Sequence, residues 1–409
     1  MKKPVKIAIV TTHPVHYFQS MYRVINSHPD LDVTALFLSN FGMEKHYDPE
    51  FDTEVEWEST QFAGYKWKVL SKQDTDSSLN GFFSVVCPGI WREITQSDYD
   101  IIWLHGYNYL GLILAFVAAK FAKKKIFYRS ETHLRLSRSP LKRIARDTAL
   151  RIYFRMIDGF LAIGTLNRRY YETLGVPACK ITLVPYTVDN EKFYPVATLQ
   201  NASRRDKLSA YGLDPNLPTI IYCSKFSVRK NPELVLRAFH QFCGGDQRAN
   251  LLMAGSGPLL DSVKKTAETL DCSNIYFTGF VNQNELPSLL QCGNLFVLAS
   301  ENEPWGLVIN EAMASGMPIL STSSIGSAYD LVEDGVNGKH LPELSIDCIA
   351  QHLATLTRDS EELRVMGLKS LEKMSEWNYQ KCLDGVVKNL QATGFNIRHL
   401  QNDTTSDDI

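Results

Sequence analysis

Two glutamates eight residues apart, Glu303 and Glu311, flank the turn Pro304-Trp305-Gly306. A carboxylate accepts hydrogen bonds from neutral hydroxyls and repels phosphate, so the pair suits the hydroxyls of a sugar or a ribose. The apolar run 294–299 before the turn reads as a buried strand. Leu307–Ser315 reads as a helix stopped by Gly316 and Pro318. The helix start therefore aims the backbone N–H groups of Trp305, Gly306 and Leu307 past the strand end, where such groups hold an anion. Gly306 lets a phosphate approach the backbone, and Pro304 fixes the entry of the turn. Lys225 and Lys230, five residues apart after the apolar run Thr219–Cys223, carry positive charge toward the same crevice. A diphosphate beside hydroxyls describes a nucleotide sugar.

Other polar groups follow apolar runs in the first half of the chain. Val5–Val10 reads as a first strand, and His13 and His16 lie in the turn after it, where they either face a ligand or cap and pack the turn. Lys125–Tyr128 leads into Arg129, Glu131 and His133, candidates for an acceptor or the transferred sugar, or else members of a salt-bridged turn. Three Asp-x-Asp sequences, Asp30-x-Asp32, Asp74-x-Asp76 and Asp98-x-Asp100, formally match a metal motif. Asp98 and Asp100 precede their strand, whereas a parallel sheet binds at its carboxyl end; they are expected to be turn residues, and no metal is expected. Leu251–Ala254 ends in Gly255-Ser-Gly257-Pro258, and 274–277 leads to Gly279 and Phe280, again turns past apolar runs. The glycine pair alone is a weak dinucleotide signal, since a third glycine is missing.

The run Glu303-Pro-Trp-Gly-Leu-Val-Ile-Asn-Glu311-Ala-Met-Ala-Ser-Gly-Met-Pro318 resembles the EX7E signature of family 4 glycosyltransferases, and the likeness continues through Gly326 and 330–338. The resemblance implies an α/β GT-B fold: two Rossmann-like domains facing across a cleft, with a C-terminal helix crossing back. It implies that Glu303 binds hydroxyls of the transferred sugar, that Glu311 binds the ribose, that the turns at Gly255-Ser-Gly257 and Gly279-Phe280 lie on the nucleotide side, and that transfer retains the anomeric configuration. The leaving phosphate would then take the acceptor's proton. Related enzymes carry Gly-Arg where this chain has Ser224-Lys225, so charge is kept at Lys225 while the bidentate fork of arginine is lost. Related enzymes often place a sugar-contacting histidine near the turn after residue 128, and the local pattern here differs.

Positioning these groups takes two domains, as 409 residues suggest. Residues 1–192 are expected to form the acceptor domain and 193–376 the donor domain. A helix over about 377–395 crosses back, and 396–409 form a disordered tail. The aromatic stretch 40–95 is either an acceptor-facing insertion or strands and loops under the sheet. Tyr109–Ala119 is too short to span a bilayer and reads as a buried helix. Arg135–Arg155 is rich in arginine with apolar residues at helical spacing, which fits a solvated helix, an anionic membrane surface or a grip on a phosphorylated acceptor.

Composition sets outer bounds. With 44% hydrophobic and 22% charged residues the chain can build sizeable cores, and a net charge of −2 argues against a dedicated nucleic-acid binder. The eight cysteines form no CxxC pair and sit mostly in apolar runs, as reduced core residues do; the start of the chain does not read as a signal peptide. The expected function is a cytoplasmic, metal-independent glycosyltransferase with no cofactor, peripheral at the inner membrane face if the arginine-rich helix touches lipid. It would move a sugar from a nucleoside diphosphate to a glycan or lipid-linked acceptor in bacterial surface polysaccharide, lipopolysaccharide or glycolipid synthesis. A nucleotide-sugar epimerase is the nearest rival. An NAD-dependent oxidoreductase is disfavoured because the first strand runs into Thr-His-Pro rather than a glycine-rich loop.

Overall fold

Buried parallel strands read as continuous apolar runs because helices cover both faces of their sheet, and the runs singled out above are strands in a computed structural model of the chain. It describes residues 3–43, 46–48, 53–55, 62–71, 81–132, 140–194, 200–246, 248–272 and 274–398. The first half runs β1 (Val5–Thr11), α1 (His16–Asn26), β2 (Leu31–Phe37), a short antiparallel pair β3 (His46–Asp48) and β4 (Thr53–Val55), β5 (Lys66–Val69) and α2 (Gly89–Gln96). It continues β6 (Ile101–His105), α3 (Leu110–Phe121), β7 (Lys125–Arg129), α4 (Pro140–Arg155), β8 (Gly159–Ala162), α5 (Thr165–Thr173) and β9 (Ile181–Leu183). Seven strands pair in parallel in the order β5-β2-β1-β6-β7-β8-β9.

Two helices, α6 (Asn190–Phe193) and α7 (Gln200–Ala210), lead to the second half. There β10 (Thr219–Cys223), α8 (Pro232–Cys243), β11 (Asn250–Ala254), α9 (Leu260–Thr269), β12 (Ile275–Gly279), α10 (Leu286–Leu290) and β13 (Leu295–Leu298) are followed by α11 (Leu307–Ala314). The chain goes on through β14 (Ile319–Thr322), α12 (Gly326–Leu331), β15 (Gly338–Leu341), α13 (Ile346–Leu356) and α14 (Ser360–Glu376). This sheet is also parallel, ordered β12-β11-β10-β13-β14-β15. In both sheets the order reverses beside the first strand, at β1/β6 and at β10/β13. Connections leave toward opposite faces there and open a crevice at the carboxyl ends of the strands.

A last helix, α15 (Tyr379–Ala392), returns to the first half and packs on α1, β8 and β9. Asn378 caps it by accepting the N–H of Lys381 at 3.0 Å. The crossing is pinned by buried side chains: Asn190 Nδ2 donates to the Met374 carbonyl at 2.7 Å, Thr187 Oγ1 to that of Trp377 at 2.9 Å, and Trp377 Nε1 to that of Tyr186 at 2.7 Å. Residues 399–409, most of the expected tail, lie outside the described residues.

Part of the 40–95 stretch belongs to the sheet layer: β5 lies at the sheet edge and α2 packs against α3. The rest is outside the described residues or joins neither sheet. Two of the Asp-x-Asp pairs, Asp30-x-Asp32 and Asp98-x-Asp100, sit at the amino edge, at the starts of β2 and β6. Lys6 Nζ holds Asp98 at 2.5 Å and its N–H donates to Asp100, while Asp30 pairs with Arg398 and Asp32 with Lys66. Asp74 and Asp76 are outside the described residues. None of the described helices is long and apolar enough to cross a membrane.

Candidate active site

The turn after β13 is built as its residue types require. Gly306 takes φ +89°, a left-handed conformation that favours glycine, and precedes α11, whose first turn no side chain caps. A side chain at Gly326 would collide with the Pro304 carbonyl, so α12 can close against this turn only through a glycine. Ser327 then donates to the carbonyls of Trp305 and Gly306 at 2.7 and 3.0 Å. Across the crevice, a short turn over Val228–Lys230 ends at Asn231, whose side chain donates to the Ala299 carbonyl at 3.0 Å and ties the lysine loop to the end of the neighbouring strand. Gly255 lies so close to the Ser224 carbonyl that no Cβ fits between the two loops.

These elements enclose a cavity of about 390 Å³. Lys225, Lys230, Gly255, Phe280, Glu303, Trp305, Gly306, Leu307 and Glu311 all line it. Lys230 is buried and forms an ion pair with buried Glu303, and Arg229 reaches the same carboxylate at 3.3 Å while donating to the Asn302 carbonyl at 2.9 Å. Glu311 is buried and forms no salt bridge among the described residues. Burial pushes its carboxyl up to about 7, offset in part by the Gln283 amide at 3.5 Å and by Lys192. The cavity wall thus brings together the Lys230–Glu303 ion pair, Lys225, the helix-start amides and the Glu311 carboxyl.

A second cavity, of about 540 Å³, opens at the β1/β6 crevice and is lined by His13, His105, Tyr107, Arg129, Glu131 and Thr132, among others. His13 Nδ1 lies 2.9 Å from Thr12 Oγ1. The His105 imidazole is held well below its usual pKa by burial and by Arg129, and stacks on Trp103.

The comparisons with known proteins agree with this geometry. Residues 203–373 match the model described as Glycosyl transferases group 1. Over 343 residues the chain is 25% identical to the GDP-mannose-dependent alpha-(1-6)-phosphatidylinositol monomannoside mannosyltransferase of Mycobacterium tuberculosis, covering 77% of this chain and 84% of that one. The chain is a glycosyltransferase whose second half is similar to this family. Over 185 residues, 44% of this glycosyltransferase and 41% of the relative, it is 26% identical to the alpha-monoglucosyldiacylglycerol synthase of Streptococcus pneumoniae. Its fold matches Anabaena HepE, solved with UDP and glucose, at a TM-score of 0.70 and 16% identity over 95% of this chain and 100% of that one. Two parallel sheets and this likeness make it a GT-B protein.

Within the glycosyltransferase the expected donor residues converge with two exceptions. Gly257 and Gly279 shape loops rather than the cavity wall: Gly257 O accepts the N–H of Leu260 at the start of α9, and Gly279 O accepts that of Gly255. On the other side stands Arg129. It lines the β1/β6 cavity as a buried side chain, donating to the Val184 carbonyl at 2.5 Å and lying 4.9 Å from the Tyr186 ring centre. His133 and the side chain of His16 lie outside the described residues. Arg229, Gln283, Tyr17 and Tyr186 were missed. Arg229 stands beside Lys230 in a basic pair that was a usable signal; the others are brought in by distant segments.

Proposed function

We propose that this glycosyltransferase moves a sugar from a nucleoside diphosphate to a lipid-linked or glycan acceptor, with retention at the anomeric carbon and without a metal ion. The observation that carries the reading is one cavity in which Lys225, Lys230 and the amides at the start of α11 face the buried carboxylates of Glu303 and Glu311. When the sugar–phosphate bond breaks, negative charge grows on the diphosphate. Lysines and helix-start amides fixed in a partly dry site stabilise that charge, the task a divalent ion performs elsewhere. Glu303 holds Lys230 in place and, by family resemblance, binds sugar hydroxyls; Glu311 does the same for the ribose. Relatives named for phosphatidylinositol mannoside and diacylglycerol products support a lipid-linked acceptor.

The acceptor would be met at a membrane. The face formed by α2, α3 and α4 is basic and carries exposed Phe83, Trp91, Phe121 and Ile152, which supports peripheral association with an anionic bilayer.

A thermal-shift screen of UDP, GDP, ADP and their sugars should single out one nucleotide. Lys230→Ala and Glu311→Ala should each abolish transfer while the far-ultraviolet circular dichroism stays that of the parent. Wild-type turnover in either variant contradicts the assignment, and acceptor-independent conversion of the donor into an isomer would favour an epimerase.

A further inference from the structure

The donor cavity and the β1/β6 cavity meet at four shared residues: Tyr17 of α1, Glu131 just past β7, Tyr186 of the passage between domains, and Lys225 just past β10. We propose that Glu131 is a catalytic residue of the transfer step, its carboxylate accepting a hydrogen bond from the acceptor's attacking hydroxyl, and that Tyr186 is the positioning residue that aims it. The proposal rests on the neighbouring cavity being the nucleotide-sugar site.

Three observations carry it. Glu131 lies where a sugar held from the second half meets a hydroxyl arriving from the first, and it belongs to the first. The Tyr186 hydroxyl donates to Glu131 Oε1, and this is the one hydrogen bond that the carboxylate makes among the described residues, so acceptor capacity remains on its second oxygen. Tyr186 is itself held on every side. Its ring stacks on Phe18 at 5.5 Å, meets Tyr17 edge-on at 5.7 Å and lies under the Arg129 guanidinium. Its carbonyl accepts from Trp377 Nε1 at 2.7 Å and from Asn310 Nδ2 at 3.4 Å, the latter on α11 of the donor half. A carboxylate fixed in this way is preorganised for one hydroxyl.

The ligand class follows from charge. Glu131 repels phosphate, and in the reading proposed above the donor's own hydroxyls are taken by Glu303 and Glu311. In the step, the acceptor oxygen bonds to the anomeric carbon as the bond from that carbon to the diphosphate breaks. The diphosphate keeps the electron pair and takes the hydroxyl proton, and Glu131 begins and ends as a carboxylate.

The groups facing it are the Arg129 guanidinium from β7, Lys225 from the β10 loop, the phenols of Tyr17 and Tyr186, and His13 and His105 across the cavity. Burial raises the Glu131 pKa, and the Tyr186 hydroxyl and Arg129 pull it back. Turnover carried by the anion is therefore lost as pH falls through that raised value.

Turnover is read as release of nucleoside diphosphate from UDP-glucose and GDP-mannose, with water alone and with vesicles of phosphatidylinositol and diacylglycerol, as kcat at saturating donor. Glu131→Gln should lower kcat about a hundredfold, abolish the acid limb of the kcat profile, and leave the thermal shift caused by UDP or GDP unchanged. Tyr186→Phe removes a hydrogen bond that lowers the Glu131 pKa, so its acid limb should move to higher pH while the plateau above it persists. Activity within twofold of the parent in Glu131→Gln, or an unmoved limb in Tyr186→Phe, overturns the proposal. If Lys230→Ala is inactive while Glu131→Gln is not, this inference alone fails; if both keep full activity, the donor-site reading fails with it.

Discussion

Glu311 shows how one residue is placed at a cost to stability that function recovers. An exposed glutamate titrates at about 4.3, and burial in the donor cavity raises Glu311 to about 7. The folded state therefore binds this proton more tightly than the unfolded chain, and its contribution falls as pH rises from about 4.5 through 7. Above pH 7 the full penalty stands, on the order of 3 kcal/mol. Glu311→Gln removes it, so the variant should melt several degrees above the parent at pH 8 and no higher at pH 4, by calorimetry at the two pH values. Affinity should move the opposite way. Glutamine offers one acceptor oxygen where the carboxylate offers two, so the donor KM should rise about tenfold at pH 8. In the parent, the donor KM should rise as pH falls below about 7, and in Glu311→Gln that dependence should vanish.

At the scale of elements, the contact between α5 and the Glu303–Gly306 turn is one of those that join the two halves. Gly164 immediately precedes α5 and has an extended backbone open to any residue, yet a Cβ there would fall inside Trp305 and the Asp330 carboxylate. Asp330 in turn accepts the Thr165 N–H at 2.7 Å, and the Arg169 guanidinium donates to Tyr329 OH at 2.7 Å. Trp305 is stacked on Trp377 at 5.8 Å and cannot retreat. Gly164→Ala should therefore push the Glu303–Gly306 turn off its seat, lowering kcat/KM about a hundredfold and stability by about 1–3 kcal/mol, as read by kinetics and denaturant unfolding. Arg169→Ala, at the rim of the same contact, should lose much less of either. This contact also marks what the sequence could tell. The strands were legible because burial on both faces makes them apolar runs, and the Glu303–Gly316 turn because its chemistry is contiguous. Gly164 against Trp305, Tyr186 on Glu131, and Trp377 on Tyr186 join segments far apart in the chain, and no local pattern announces them. The partners of Arg129 were hidden for the same reason, since the carbonyls at 184 and 185 are supplied by the passage between domains.

For the whole molecule, a net charge of −2 hides a strong asymmetry. Residues 81–97, 107–125 and 140–156, which hold α2, α3 and α4, contain ten lysines and arginines against two acids, Glu93 and Asp147. Both acids are taken up by neighbours, Glu93 by Lys68 and Asp147 by Arg146. Of thirteen large apolar side chains exposed among the described residues, eight lie on this layer, from Phe82 and Phe83 to Ile152 and Met156. The three helices share one layer: Trp91 of α2 touches Phe121 of α3 at 5.4 Å, and Phe116 of α3 touches Tyr153 of α4 at 4.5 Å. Because α3 starts just past the carboxyl end of β6, this surface runs up to Tyr107 and Tyr109 in the wall of the β1/β6 cavity. A bilayer on it would present a lipid-linked acceptor directly to that opening. Each basic residue near an anionic surface is worth about 1 kcal/mol, so the triple variant Lys120→Gln, Arg151→Gln, Arg155→Gln should bind vesicles containing phosphatidylglycerol roughly a hundredfold more weakly. The same loss should appear for the parent on raising the salt from 0.1 to about 1 M, where screening shortens to about 3 Å. Hydrolysis of the soluble donor should be unchanged in the variant, since none of the three residues lines either cavity. Equal flotation of parent and variant on those vesicles would remove the membrane from this account while leaving the donor site intact.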